Sequence, residues 1–190
     1  MHINLDIQTL SFKTNAIVLS IGAVAFDFDE PKNFSTLVET GFYKKLDASL
    51  QKENGRHFDP DVLNYWKHCP VESKSTWGKS TNDVHIVSAL NDLNHWAVDA
   101  GYTKQSFVFC RGNYFDIPIL LSLYDDAALE PFFINYRSRD INTFIDTLAG
   151  TKYGKYAPYV EQKTDLYNSL EIAADDVCMM QEVYNEVMKG

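Results

Sequence analysis

Cysteine is scarce in this 190-residue chain: Cys69, Cys110 and Cys178 stand far apart, with no CxxC pair. That excludes a disulfide scaffold and a paired-cysteine zinc knuckle, and suits reduced thiols in a cytoplasmic protein. No apolar run approaches the roughly 18 residues that span a bilayer. The start, "MHINLDI", has neither a basic n-region nor a small-residue cleavage site, so no secretory signal is expected. Positive charge is also short, 17 basic residues against 26 acidic ones for a net charge of −9. A protein that coats long duplex needs a broad basic face, and this chain lacks one. Bound cations remain a way for an acidic protein to meet phosphate. What is present is ordinary globular material, 45% hydrophobic and 14% aromatic. No repeat, low-complexity tract or linker breaks it, so residues 1–190 are expected to be one domain.

The periodicities predict an α/β protein. Residues 2–6 read as a short strand ending at Asp6. "AIVLSIGAVAFDFD", 16–29, alternates and is β-branched, a long strand facing the first across the loop "QTLSFKTN". "STLVETGFYKKLD", 35–47, reads as a third strand. Asp59 is placed to cap a helix with Pro60 at its first position, and Pro70 limits it. Asn82 or Asp83 can cap a second helix. There Ile86, Leu90, Leu93 and Ala97 repeat at helical spacing, and Gly101 closes it. "SFVFC" reads as a strand. "FDIPILLSLYDDAAL" reads as a helix that tolerates Pro118 only in its first turn. "INYRSRDINTFIDTLAG" is a strand or turn entering a short helix, and a last helix runs from about 169 to 188. Three strands followed by alternating helices and strands imply a mixed central sheet flanked by helices.

Three carboxylates stand where separate elements end or begin. Asp6 ends the first strand. Asp116, in "CRGNYFDIPIL", follows a strand at the mouth of a helix. In the last helix Ala173, Val177, Met180, Tyr184 and Val187 make one apolar stripe; Asp176 flanks it by about 60° and Asp175 faces the other way. A carboxylate turned towards a core is costly unless paired or bound to metal. Asp176 is therefore the candidate ligand and Asp175 a solvated bystander. Each residue has a plainer reading: a turn residue at Asp6, a helix cap at Asp116, an arginine partner at Asp176. Together they form a candidate site, because converging carboxylates need cations. A pair of divalent ions on them can activate water and stabilise the leaving oxygen of a phosphodiester.

These residues sit in a wider pattern. "LDIQTLSFKTNAIVLSIGAVAFD", "YWKHCPVES", "RGNYFDIPIL", "RSRDINTF" and "SLEIAADDVCMM" together resemble the DEDD 3′–5′ exonucleases, DnaQ-like members of the ribonuclease H-like superfamily, and are most similar to the phage exonuclease A type. The resemblance runs nearly end to end. It implies a ribonuclease H-like fold and hydrolysis of DNA or RNA from the 3′ end to nucleoside 5′-monophosphates. It also implies two divalent cations, Mg²⁺ or Mn²⁺, held by Asp6, Asp116 and Asp176. The implied substrate is a single-stranded or 3′-overhanging nucleic acid, with no membrane partner, in the cytoplasm of a bacterial or phage-infected cell. Thr9 and Leu10 are expected near the terminal nucleotide. Asn113 and Phe115 flank Asp116, with Phe115 open to a core or a stacking role. In "RSRD", Arg139 is expected to brace Asp140 or touch a phosphate, an internal ion pair being the safer reading.

Two departures bear on activity. Gln8 fills the position of the family's glutamate; an amide oxygen still ligates a hard cation, but carries no full charge and is a poor base. Glu171 fills the position of the family's histidine, and none of the five histidines lies in that segment. Asn142 replaces the second arginine of the Arg-Asp-x-Arg-Thr segment. If residue 171 is helical, Glu171 points about 140° from Asp176, and it reaches the site only if the helix begins after it. Its other reading is a capping-box partner of Asn168. A weakened exonuclease and a catalytically inactive nucleic-acid-binding or interaction protein on the same fold both stay open. Elsewhere, "TKYGKYAPYVEQK" interleaves Lys152, Lys155 and Lys163 with Tyr153, Tyr156 and Tyr159, which suits a single strand. The segment 43–58, with Lys44, Lys45, Lys52 and Arg56, reads as a solvated face.

Overall fold

A computed structural model describes residues 1–161 and 167–189. Five strands form one mixed sheet in the order β3-β2-β1-β4-β5. β1 (His2–Thr9) and β2 (Val18–Phe26) are antiparallel, as are β2 and β3 (Phe42–Lys45). β4 (Val108–Cys110) runs parallel to β1, and β5 (Ser138–Asp140) parallel to β4. All nine residues of β2 are buried, as a strand covered on both faces must be.

Eight helices surround the sheet among the described residues: α1 (Phe34–Thr40), α2 (Ala48–Glu53), α3 (Pro60–His68), α4 (Lys74–Trp77), α5 (Ile86–Asp99), α6 (Asn113–Ala127), α7 (Ile141–Ala149) and α8 (Ser169–Lys189). None of them is long and apolar enough to cross a membrane. One face of β1 sends Ile3, Leu5 and Ile7 into a core with Leu90 and Leu93 of α5 and Ile117, Leu120 and Leu123 of α6. On the opposite layer Val24, Phe26 and Phe109 pack with Ile141 and Ile145 of α7 and Ala173, Val177, Met180 and Val183 of α8. Strand alternation therefore turns Asn4, Asp6 and Gln8 towards α8. Asn4 confirms the direction, its amide donating to the Ala173 carbonyl at 2.8 Å.

Several elements differ from the sequence reading. β1 continues to Thr9, so Asp6 and Gln8 lie inside the strand and share a face. Residues 34–40 are helical, because the Asn33 side chain accepts from the Thr36 amide at 2.9 Å and Leu37 is buried against the α8 layer. The cap of α5 is His85, whose Nδ1 accepts from Val87, rather than Asn82 or Asp83. Pro118 falls inside α6, past its first turn, leaving the carbonyl of the exposed Tyr114 without its helical donor. Arg56 does not belong to a solvated face: it is 5% exposed, pairs with Asp126 and donates to the Ala16 carbonyl at 2.8 Å.

Candidate active site

Three elements carry the aspartates to one place. Asp6 stands in β1 opposite Gly22 of β2. Gly22 is there for closeness, since a Cβ would fall on the backbone of Ser169 and Leu170. The first turn of α8 therefore lies directly on the sheet, and Ser20 and Ser169 join across the contact at 3.0 Å. Two turns further on, α8 presents Asp176, 5% exposed. Asp116 comes from the first turn of α6, just past β4, and is 3% exposed.

The three carboxyls feel one another. Burial raises Asp116 well above the usual carboxylate range, and the charges of Asp6 and Asp176 push it further. Burial lifts Asp6 to about 8, helped by Asp176 and opposed by the Gln8 hydrogen bond and Arg111. Asp176 is also raised by burial, although Arg111 opposes the rise. Desolvation is the leading cause in all three.

Each outer aspartate takes a donor of its own. Gln8 Nε2 donates to Asp6 Oδ2 at 2.8 Å. Arg111 donates to Asp176 Oδ1 from Nε at 2.9 Å and from Nη2 at 2.6 Å. Like charges repel, and a hydrogen-bond donor on each of Asp6 and Asp176 offsets that repulsion. The carboxyls accordingly do not stand as a closed cage. Among the described residues no three His, Cys, Asp or Glu side chains form a ready-made metal-binding group. The donor chemistry still suits a hard divalent cation: two buried carboxylates and the half-buried Asp6, with Asp116 accepting no hydrogen bond among the described residues.

Arg111 was not legible as a site residue. Besides Asp176 it donates from Nη1 to Asn142 Oδ1 at 2.7 Å and to the Gly154 carbonyl at 3.2 Å. One guanidinium thus ties the end of β4 to α7, α8 and the loop after α7. Gly154 has φ +61°, and a Cβ there would collide with Asn142. A guanidinium therefore reaches residue 142 from β4, where the family pattern carries an arginine on α7 itself.

The other expected residues are placed as follows. The Thr9 hydroxyl donates to the Ser11 carbonyl at 2.8 Å, and Leu10 is buried beside Ile17, Leu19 and Trp66. Asn113 opens α6, held by its backbone amide to Asp140. Phe115 is half-buried against the α5/α6 core, its ring 6.0 Å from that of Phe12, which is 78% exposed. Phe12 and the exposed Tyr114 were not expected. Arg139 does not pair with Asp140: its Nη1 donates to the carbonyls of Tyr136 and Ser138, and its guanidinium lies 4.3 Å above the Phe107 ring. Asp140 faces the other way. Although desolvation pushes it up, hydrogen bonds from Thr143, Gly112 and Asn113 hold it below the usual range.

Glu171 sits in the first turn of α8, beside the cap Asn168, whose Oδ1 accepts from the Leu170 amide at 3.0 Å. Asn168 also reaches Glu171 Oε1 at 3.4 Å. The helix begins before Glu171, not after it. Asp175 is no solvated bystander, because it accepts from the Tyr159 hydroxyl at 2.6 Å. In the loop after α7, Tyr159 is buried and Tyr156 bonds Glu186, leaving Lys152, Tyr153 and Lys155 exposed; Lys163 lies outside the described residues. Four of the five histidines are engaged elsewhere: His57 with Ser11, His68 with the Asn64 carbonyl, His85 as a cap and His2 with Phe107.

A mixed five-stranded sheet with aspartates delivered by its central strand and two neighbouring helices defines a ribonuclease H-like exonuclease fold. Residues 1–184 match the profile of the Rv2179c-like 3′–5′ exoribonuclease domain, and the chain belongs to that family. It is 26% identical to the exodeoxyribonuclease of Enterobacteria phage T4 over 196 residues, 93% of this chain and 86% of that one. The same fold recurs in cell-death related nuclease 4, with a TM-score of 0.64 at 16% identity over 97% of this chain. This chain spans 63% of that protein. It recurs too in the nuclease domain of 3′hExo, a DEDDh family member bound to rAMP, with a TM-score of 0.56 at 11% identity over 97% of this chain and 91% of that one.

Proposed function

We propose that residues 1–190 form one exonuclease domain that removes nucleoside 5′-monophosphates from the 3′ end of single-stranded or 3′-overhanging DNA or RNA, slowly because of Gln8. What supports this reading is that the central strand β1, the first turn of α6 and α8 each supply an aspartate, Asp6, Asp116 and Asp176, in a chain of this family. Asp6, Asp116 and Asp176 would hold divalent cations, Mg²⁺ or Mn²⁺. When bound, those cations supply an activated water and charge for the leaving oxygen.

The chain's own residues do the rest. Gln8 offers an amide oxygen where a carboxylate would add charge and basicity. Arg111 balances Asp176 and stands ready to meet a phosphate oxygen. Tyr153, Phe12 and Tyr114 give exposed rings for bases. Glu171 stands where the family's histidine supplies a base, but within the helix and beside its cap Asn168. Three free cysteines accord with a reducing, cytoplasmic setting.

Gln8 also favours a second reading, a binder that no longer cuts. Incubation with 3′-labelled single strands and Mn²⁺ separates them. The enzyme reading expects slow stepwise release of mononucleotides, loss of release in Asp116→Asn, and a gain of about 10²-fold or more in Gln8→Glu. Complete inertness of both the native chain and Gln8→Glu, with strands still bound, establishes the binder instead.

A further inference from the structure

A cavity of about 710 Å³ opens between β5 and α7, away from the aspartates but reaching Asn113 at the start of α6. Its volume lies within the range of small-molecule sites. Aromatic rings form its wall. Phe28 and Phe144 lie 5.2 Å apart at 21°, and Phe107 carries the Arg139 guanidinium over its face. Polar groups interrupt that wall, and their hydrogen bonds are incomplete. The Asn113 side-chain amide and the Thr147 hydroxyl have no partner among the described residues. His2 accepts from the Phe107 amide through Nδ1 at 3.1 Å, which leaves its Nε2–H without a partner there. Arg139 spends only Nη1 on backbone carbonyls, so Nε and Nη2 are free for an anion.

An aromatic wall, scattered donors and acceptors and a half-committed guanidinium match a planar heteroaromatic ring joined to a phosphate. We infer that this cavity is a second nucleotide site, taking a base against Phe28, Phe107 and Phe144 and the 5′-phosphate on Arg139. The choice of a nucleotide rests on the nuclease reading above; the cavity itself does not. The site communicates with the aspartates through the chain. Asp140, in its wall, holds the Gly112 and Asn113 amides at 2.9 and 3.4 Å, four and three residues before Asp116. Two sources of this chemistry exist, the mononucleotide just released and a nucleotide of the bound strand.

The test is an amide NMR titration of the full chain with AMP in EDTA. Saturable shifts are expected at residues 138–140 and 143–148. Arg139→Ala, an exposed substitution, should weaken binding about tenfold by removing a charge-assisted contact. Thr147→Trp should abolish it by filling the cavity, with thermal unfolding checking that this variant folds. Asp116→Asn should leave it intact. Displacement of AMP by a short oligonucleotide identifies a strand site, and failure to displace it a product site. No saturable shifts, shifts confined to residues 6–8, 116 and 176, or undiminished binding in Arg139→Ala would each overturn the inference. So would equal shifts from inorganic phosphate alone. Strand hydrolysis is read separately. Cutting without AMP binding in the cavity rejects the cavity site alone, and AMP binding without cutting rejects the nuclease reading alone.

Discussion

Arg111 shows how one side chain can set the state of a site. It supplies the counter-charge to Asp176 and, through Asn142 and Gly154, fixes the approach of two further elements. Its removal leaves a carboxylate 5% exposed with no partner of opposite charge in contact. A buried pair broken in this way costs about 3–5 kcal/mol. Because the Arg111 side chain is 32% exposed, solvent screening lowers the expected cost of Arg111→Ala to roughly 2 kcal/mol. Arg111→Lys should recover little of it, since one ammonium cannot reproduce a fork spread over three acceptors. Urea unfolding at pH 7 in EDTA measures both variants. Equal stability of all three proteins would show that the guanidinium is not what settles Asp176.

At the scale of elements, the junction of α8 with β2 decides whether the aspartates meet. Gly22 admits the helix backbone where any side chain would intrude. Gly22→Ala is expected to cost about 1–3 kcal/mol as an overpacked contact, and to push the first turn of α8 away from Asp6. Cation binding should then weaken beyond the loss of stability. A variant that melts lower yet binds Mn²⁺ as the native chain does would contradict this link.

The sequence disclosed the regular elements and hid the irregular ones. α5 and α8 were legible because their apolar stripes extend over three turns or more; burial of Ala173, Val177 and Met180 follows the stripe, although its last member, Val187, is exposed. Residues 34–40 were misread because Thr36, Val38 and Thr40 are β-branched, while a tertiary contact at Leu37 and the Asn33 cap outweigh that preference. Asp116 and Asp176 could be singled out from where they sit on their elements, whereas Asp6 reads as a strand end and lies inside β1. Arg111 could not, because its partners at 142, 154 and 176 are brought together only by folding. Asp175 was misplaced for the same reason, its partner Tyr159 arriving from the loop after α7.

For the molecule as a whole, a net charge of −9 with three coupled carboxyls makes stability depend on pH and cations together. Asp6 has an ordinary value of 3.8 and rises to about 8 in the folded chain. Between those values the unfolded chain has released the proton and the folded chain still holds it. This group's contribution to stability therefore falls as pH rises from about 4 to about 8, and then levels off. Asp116, raised in the same sense, adds to the fall. In EDTA the melting temperature of Asp116→Asn should exceed that of the native chain at pH 8, with a difference of about 2–4 °C for each kcal/mol relieved. The gap should close towards pH 4. A constant gap, or its reversal at pH 8, would mean that the carboxyls do not oppose one another. Mn²⁺ should reverse the order at pH 8 by stabilising the native chain more than the variant.

We propose above all that Asp6, Asp116 and Asp176 act as one acidic cluster for divalent cations. Calorimetric titration of Mn²⁺ at pH 7, repeated in two buffers of different ionisation enthalpy, addresses it most directly. Saturable binding is expected, with proton release as the raised carboxyls ionise and an affinity at least about tenfold weaker in Asp116→Asn. Binding without proton release, or binding that Asp116→Asn leaves unchanged, would contradict it.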